Sequence, residues 1–211
     1  MNLVVGQKCR CSFFFTFILS LYLLLGCSET KLSESSLPHV KMKTALGDII
    51  LEIDTINAPV TAANFLKYVD DKIFNSAFFY RVVRMDNQPN NKIKIEVIQG
   101  GLGFDDSPLS LSPIEHETTD KTGILHKDGV ISMARMEPGT ASSEIFICVG
   151  DQPELDFGGK RNPDGQGFAA FGKVMKGMDV VRNIQSKPNK EQMLVTPVNI
   201  IEVVMMKPAN D

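Results

Sequence analysis

Gly129-Val130-Ile131-Ser132-Met133-Ala134-Arg135 and then Thr140-Ala141-Ser142-Ser143-Glu144-Ile145-Phe146-Ile147-Cys148-Val149 are the runs whose reading decides this fold. Both end in short apolar stretches rich in β-branched and aromatic residues, at strand length and too short for a buried helix. Working outward, the same signal predicts strands over residues 78–84, 94–99, 168–174 and 198–206. Residues 40–46 and 48–54 alternate and meet at Gly47, which predicts a hairpin. Gly100-Gly101-Leu102-Gly103 predicts a tight turn, because glycine accepts backbone angles that other residues cannot. Helical spacing appears twice. Residues 59–69 open on Pro59 and place Ala62, Phe65, Leu66 and Val69 on one face; residues 178–184 do the same with Val180, Val181 and Ile184. No internal repeat or heptad pattern is present. Many strands with few helices predict a mainly β domain, a closed barrel or a sandwich with helices covering its open ends.

The amino terminus reads differently. Lys8 and Arg10 precede an apolar run of about 15 residues that starts at Phe13, shorter than the roughly 20 a spanning helix needs. The run ends at Leu24-Leu25-Gly26-Cys27, which resembles a bacterial lipobox. Residues 1–26 are therefore expected to be a lipoprotein signal peptide and Cys27 the lipidated first residue of the mature chain. Several acyl chains on one residue anchor durably where one does not. Residues 27–37, polar, small and charged, cannot build a core and read as a flexible tether. The folded domain is expected over 38–208. The reading predicts an exported protein facing the bacterial periplasm or cell surface. Of four cysteines, Cys9 and Cys11 leave with the signal and Cys27 is acylated. Cys148 is left alone in an apolar run, as a buried inert thiol. Net charge is −3, and removing Lys8 and Arg10 makes the rest more acidic. This argues against nucleic acid as a partner. Lys160-Arg161 is the best local basic cluster and reads as a solvated loop.

Six ordered segments resemble the cyclophilin family. Phe79-Tyr80-Arg81-Val82-Val83 is similar to the family's Phe-His-Arg-Val-Ile strand, and Ile98-Gln99-Gly100-Gly101 to its Gln-Gly-Gly turn. The two runs quoted first are similar to its Gly-x-Leu-Ser-Met-Ala and Thr-x-x-Ser-Gln-Phe-Phe-Ile segments. Phe171-Gly172-Lys173-Val174 and Gly177-Met178-Asp179-Val180-Val181 are similar to its closing strand and second helix. The resemblance spans about residues 40–206. It implies an eight-stranded antiparallel closed barrel capped by two helices, and a peptidyl-prolyl isomerase that needs no cofactor or metal. The expected partners are proline-containing polypeptides, met by a monomer. By resemblance, Arg81 is the catalytic residue. Gln99, Phe146, Met133, Ala134, Tyr80, Glu144, Leu155 and Phe168 are substrate-binding residues, Phe146 being the pocket floor; Met133 also suits a core role.

The chain departs from the family at several positions. Tyr80 stands for a histidine, Glu144 for a glutamine, Ile145 for a phenylalanine and Phe168 for a histidine. Glu96 falls at a pocket phenylalanine and Val97 at a methionine. Glu154 falls at the tryptophan many members use for cyclosporin, whose binding is therefore expected to be weak. Insertions occupy residues 85–92 and 157–166, the second rich in turn residues. Glu144 and Glu154 together predict an acidic groove that prefers basic residues beside proline. The alternative reading is a cyclophilin-shaped peptide-binding scaffold lipoprotein with little catalysis. A hydrolase using His116 or His126, or a metal site in Glu115-His116-Glu117, has weaker support: no nucleophile elbow is present, and the spacing lacks the i, i+4 logic of a helical zinc motif.

Overall fold

The first hairpin shows how local chemistry sets the architecture. β1 (His39–Thr44) and β2 (Gly47–Ile53) pair antiparallel with Thr44 opposite Gly47. The Thr44 hydroxyl donates to the Gly47 carbonyl (2.8 Å) and accepts from the Leu46 N–H (3.1 Å), closing the turn with one side chain. Gly47 has φ +137°, and a Cβ there would lie 2.8 Å from Val180, so the turn needs glycine for both reasons. The computed structural model describes residues 37–103 and 107–207. The 1–26 leader, Cys27 and the tether to residue 36 lie outside the described residues.

α1 (Pro59–Asp70) follows, with proline in its first turn. Its backbone is capped from far along the chain: the Glu117 carboxylate accepts from the Val60 and Thr61 N–H groups (3.1 and 2.7 Å). Ala62, Phe65 and Val69 are buried as the spacing predicts, joined by Tyr68. Phe65 packs between Phe74 and Phe171, with ring centroids 5.3 and 5.2 Å away. Truncating such a ring to alanine costs about 3–5 kcal/mol. β3 (Phe78–Val83), β4 (Val97–Gly101), α2 (Thr119–Thr122), β5 (Val130–Met133), β6 (Ile145–Cys148), β7 (Ala169–Lys176), α3 (Met178–Gln185), β8 (Asn189–Lys190) and β9 (Met193–Met205) complete the order. α3 buries Val180, Val181 and Ile184 in the same core as α1.

The strands run β1-β2-β7-β5-β6-β4-β3-β9, and β9 returns to pair with β1, which closes the eight-stranded antiparallel barrel. Closure leaves no open edge in those eight strands. β8 is an extra strand hairpinned to β9, and α2 is a third helix beyond the two expected. Two further expectations are corrected. Gly100 and Gly101 do not form a turn: they extend β4, opposite Phe79 and Phe78. Glycine is required there by close approach, since a Cβ at Gly100 would sit 2.6 Å from the Phe78 carbonyl. β9 starts at Met193 rather than 198. Pro197, which argues against a strand in sequence, lies between its two paired stretches. Inside the barrel one continuous apolar core joins α1, α3 and every long strand. A second, smaller cluster lies apart from it: Val83, Ile95, Val97, Phe146, Cys148 and Leu155, with Ala134 and Phe168 packed on it.

Candidate active site

That second cluster exists because of strand alternation and one bulge. On β6, Ile145 and Ile147 enter the main core while Phe146 and Cys148 face the other way. On β5, Ile131 and Met133 belong to the core. Met133, expected at the groove, is thus fully buried inside the barrel and does not line it. On β3 the register shifts between Phe79 and Arg81, with Tyr80 as the extra residue of the bulge. Phe79 and Val82 both point into the core; without the bulge Arg81 would share the face of Phe79. A bulge re-aims one side chain at small cost to the sheet. The result is a row across three strands: Arg81 opposite Gln99, and Gln99 opposite Phe146.

Arg81 is half-buried and held on two sides. Its Nη1 donates to Gln99 Oε1 (2.8 Å), and its Nε and Nη2 donate to Gln192 Oε1 (3.0 and 2.6 Å). Burial pushes the guanidinium below arginine's usual pKa, partly offset by Tyr80. Gln99 Nε2 in turn donates to the Tyr80 hydroxyl (2.9 Å), and that hydroxyl donates to Glu144 Oε2 (2.6 Å). Burial first, and then the Glu144 charge, drive the Tyr80 pKa far upward, so Tyr80 stays a neutral hydroxyl that donates to Glu144 while accepting from Gln99. It stands behind the groove, not in it. The other Glu144 oxygen accepts from the Leu102 and Gly103 N–H groups and the Ser143 hydroxyl (2.9, 3.2 and 3.1 Å). The chain Glu144–Tyr80–Gln99–Arg81 therefore fixes the arginine from a fully satisfied buried carboxylate.

Phe146 is braced from behind. The His126 ring stacks on it at 5.7 Å and is bonded to Asp156 Oδ1 through Nδ1 (2.7 Å) and to Ser132 Oγ through Nε2 (3.0 Å). Asp, His and Ser stand in line as in a nucleophilic triad. However, Ser132 is 0% and His126 1% exposed, so no substrate carbonyl reaches the hydroxyl. Glu115-His116-Glu117 does not converge either, because Glu117 caps α1 while His116 Nε2 donates to the Gln166 carbonyl (3.2 Å). Burial raises the Cys148 thiol pKa well above its usual value, which makes it inert.

Arg81, Gln99, Ala134, Glu144, Phe146, Leu155 and Phe168 line one groove of about 280 Å³. Sequence reasoning missed Ile95, Arg135, Met136, Arg161 and Asn162 on its walls. Ile95, not Glu96, is the residue of this pair that lines the groove, as part of the second apolar cluster. Arg135 is paired bidentately with Asp164 (2.8 and 3.0 Å) and lies 5.3 Å over the Phe168 ring. Glu154 turns away, its carboxylate accepting from the Lys160 N–H (2.9 Å). Three arginines outnumber the two carboxylates beside them, Glu144 and the Asp164 partner of Arg135, so the groove is net basic, not acidic as expected from sequence. A larger apolar hollow of about 360 Å³ between Leu46, Pro188 and Pro197 holds none of these groups, so size alone does not locate the chemistry.

Residues 39–205 match the family model described as cyclophilin type peptidyl-prolyl cis-trans isomerase. A peptidyl-prolyl cis-trans isomerase of Acinetobacter baylyi is 36% identical over 173 residues, covering 78% of this chain and 83% of the relative. Peptidyl-prolyl cis-trans isomerase A of Dickeya dadantii is 35% identical, covering 69% and 70%. A Cryptosporidium parvum cyclophilin crystallised in the presence of the dipeptide Ala-Pro superposes with TM-score 0.62 at 21% identity, covering 81% of this chain and 99% of its own, a likeness of fold. Matched over nearly the whole barrel, the chain belongs to the cyclophilin-type peptidyl-prolyl cis-trans isomerases.

Proposed function

We propose that the groove turns X–Pro bonds by holding the twisted bond, with Arg81 as the donor to the prolyl nitrogen. Resonance in a peptide bond sets a barrier of about 18–20 kcal/mol. In the twisted state that resonance is gone and the nitrogen carries a lone pair. A donor fixed in space binds this state better than either planar one, which is catalysis by differential binding. The observation that carries the reading is the three-bond clamp on Arg81 above Phe146. A guanidinium has five N–H donors, so the clamp leaves two pointing elsewhere while fixing their direction. One charge-assisted hydrogen bond is worth about 1.5–3 kcal/mol, roughly ten- to a hundredfold in rate. Phe146, Leu155, Ile95 and Phe168 supply an apolar seat for the ring and exclude water.

The leader and the Leu24-Leu25-Gly26-Cys27 junction support a further part of the proposal: a lipid-anchored isomerase acting on exported polypeptides near the membrane. The alternative, a peptide-binding scaffold, differs in one observable. With a proline peptide titrated against the protein, exchange spectroscopy reads binding and cis–trans exchange together. Saturable binding accompanied by accelerated exchange is the expected result. Binding that leaves the exchange rate at its uncatalysed value of tens to hundreds of seconds favours the scaffold instead.

A further inference from the structure

Three guanidinium groups line the groove, and they are not alike. Arg135 carries its own carboxylate, Asp164, in a side chain fully removed from solvent. Arg81 is held by two neutral amides. Arg161, from the 157–166 insertion, is half-buried and donates from Nη1 to the Ile93 carbonyl (2.6 Å). Among the described residues neither Arg81 nor Arg161 has an ion-pair partner. The nearby acids are already engaged, Glu144 by Tyr80, Ser143 and two backbone N–H groups, and Glu154 by the Lys160 N–H. Two positive charges without an ion pair thus share one small groove with the single carboxylate of Glu144, where water screens them less than at an open surface. Burial, and next the charge of Arg81, hold Arg161 below the usual arginine pKa, yet a guanidinium stays charged.

We propose that Arg161 is a specificity-determining residue: it accepts an aspartate or glutamate side chain flanking the isomerising proline. The proposal rests on reading this groove as the isomerisation site. Only one of the five guanidinium donors is taken by Ile93, so a bidentate carboxylate contact is free to form. The loop is fixed in advance, which lowers the entropy lost on binding. The Arg161 N–H donates to the Glu154 carbonyl (3.1 Å), the Gly158 N–H to the Gly165 carbonyl (2.8 Å), and Arg135 grips Asp164. A carboxylate on the substrate relieves the repulsion between the two guanidinium groups, whereas a lysine beside proline adds to it.

The test uses the full chain and a panel of peptides with both ends capped, so that the only carboxylate is a side chain. Each has one proline, with Glu, Gln or Lys placed in turn at the two positions before it and the two after it. At one position or more, kcat/KM for Glu over Gln is expected to reach roughly three- to thirtyfold, between an exposed ion pair and a charge-assisted hydrogen bond. Lys is expected below Gln. Arg161→Gln brings the Glu/Gln ratio towards one, Arg161→Lys keeps part of it, and raised salt shrinks it. Acceleration without charge preference, or a ratio that Arg161→Gln leaves intact, overturns the assignment of Arg161 alone. No acceleration with any peptide overturns the isomerase reading and this proposal with it.

Discussion

Gln192 holds a left-handed backbone conformation, φ +75°, next to Glu191 at φ +50°. Side chains with a Cβ seldom occupy that region, and when they do the strain usually serves a site. Here its amide oxygen accepts two Arg81 donors, while its Nε2 donates to the Asn87 carbonyl (3.2 Å). Arg81 is thus aimed by a turn and not only by its own strand. Gln192→Ala is expected to lower kcat/KM about three- to tenfold, because Arg81 is aimed less well without one side of its clamp, and to cost some stability through the same lost bonds, about 0.5–1.5 kcal/mol. Steady-state isomerisation beside denaturant unfolding checks this. An unchanged kcat/KM rejects the positioning role. Nothing in Lys190-Glu191-Gln192-Met193 announces it, because the partner lies on a strand far earlier in the chain and the link is made only by folding. Arg81 itself was legible, since its flanking apolar residues and the Phe146 strand carry a family pattern. Arg161 showed only as half of a basic pair, and its burial cannot be read from neighbours in sequence.

At the scale of elements, the two insertions act on the groove and on each other. The 85–92 segment is folded on itself: Gln88 Nε2 donates to the Arg84 and Ile95 carbonyls (both 2.8 Å). The 157–166 loop reaches the residue just after it, Ile93, through Arg161, and is tied to Arg135, two residues beyond β5, through Asp164. Arg135 holds the Asp164 pKa below its ordinary 3.8. With the folded value below the unfolded one, the contribution of Asp164 to stability is complete above the unfolded pKa and is lost as pH falls through the folded value. Asp164→Asn is expected to destabilise the protein at neutral pH only modestly, by about 0.5–1.5 kcal/mol, because Arg135 loses its charged partner but keeps its bonds to the Gly167 and Met136 carbonyls. It should also flatten the acid limb of the stability–pH curve, as measured by urea unfolding across the acid range. An acid limb identical to that of wild type would show that the pair contributes nothing. The strands and both long helices were legible in the sequence because alternation and i, i+4 spacing are local. β8, the start of β9 and the pairing of Gly100-Gly101 were not, because each depends on a partner strand brought in from elsewhere.

For the whole molecule, closure by the β1–β9 pairing makes a rigid wall on which the Arg81–Gln99–Phe146 row can be held. No helix among the described residues is long and apolar enough to cross a membrane; the proposed attachment is through the leader and Cys27. Cells labelled with radioactive palmitate should incorporate label into the wild-type chain and not into Cys27→Ser, and the variant should move to the soluble fraction. Label retained by Cys27→Ser rules out this site of acylation. One guanidinium acting as the donor to a twisted peptide bond is the proposed mechanism, and the most direct measurement compares the wild-type chain with Arg81→Ala on a single proline peptide. That mechanism predicts acceleration by the wild type and a fall of about ten- to a hundredfold in kcat/KM for the variant, with similar unfolding midpoints. Equal activity in the two proteins would contradict it.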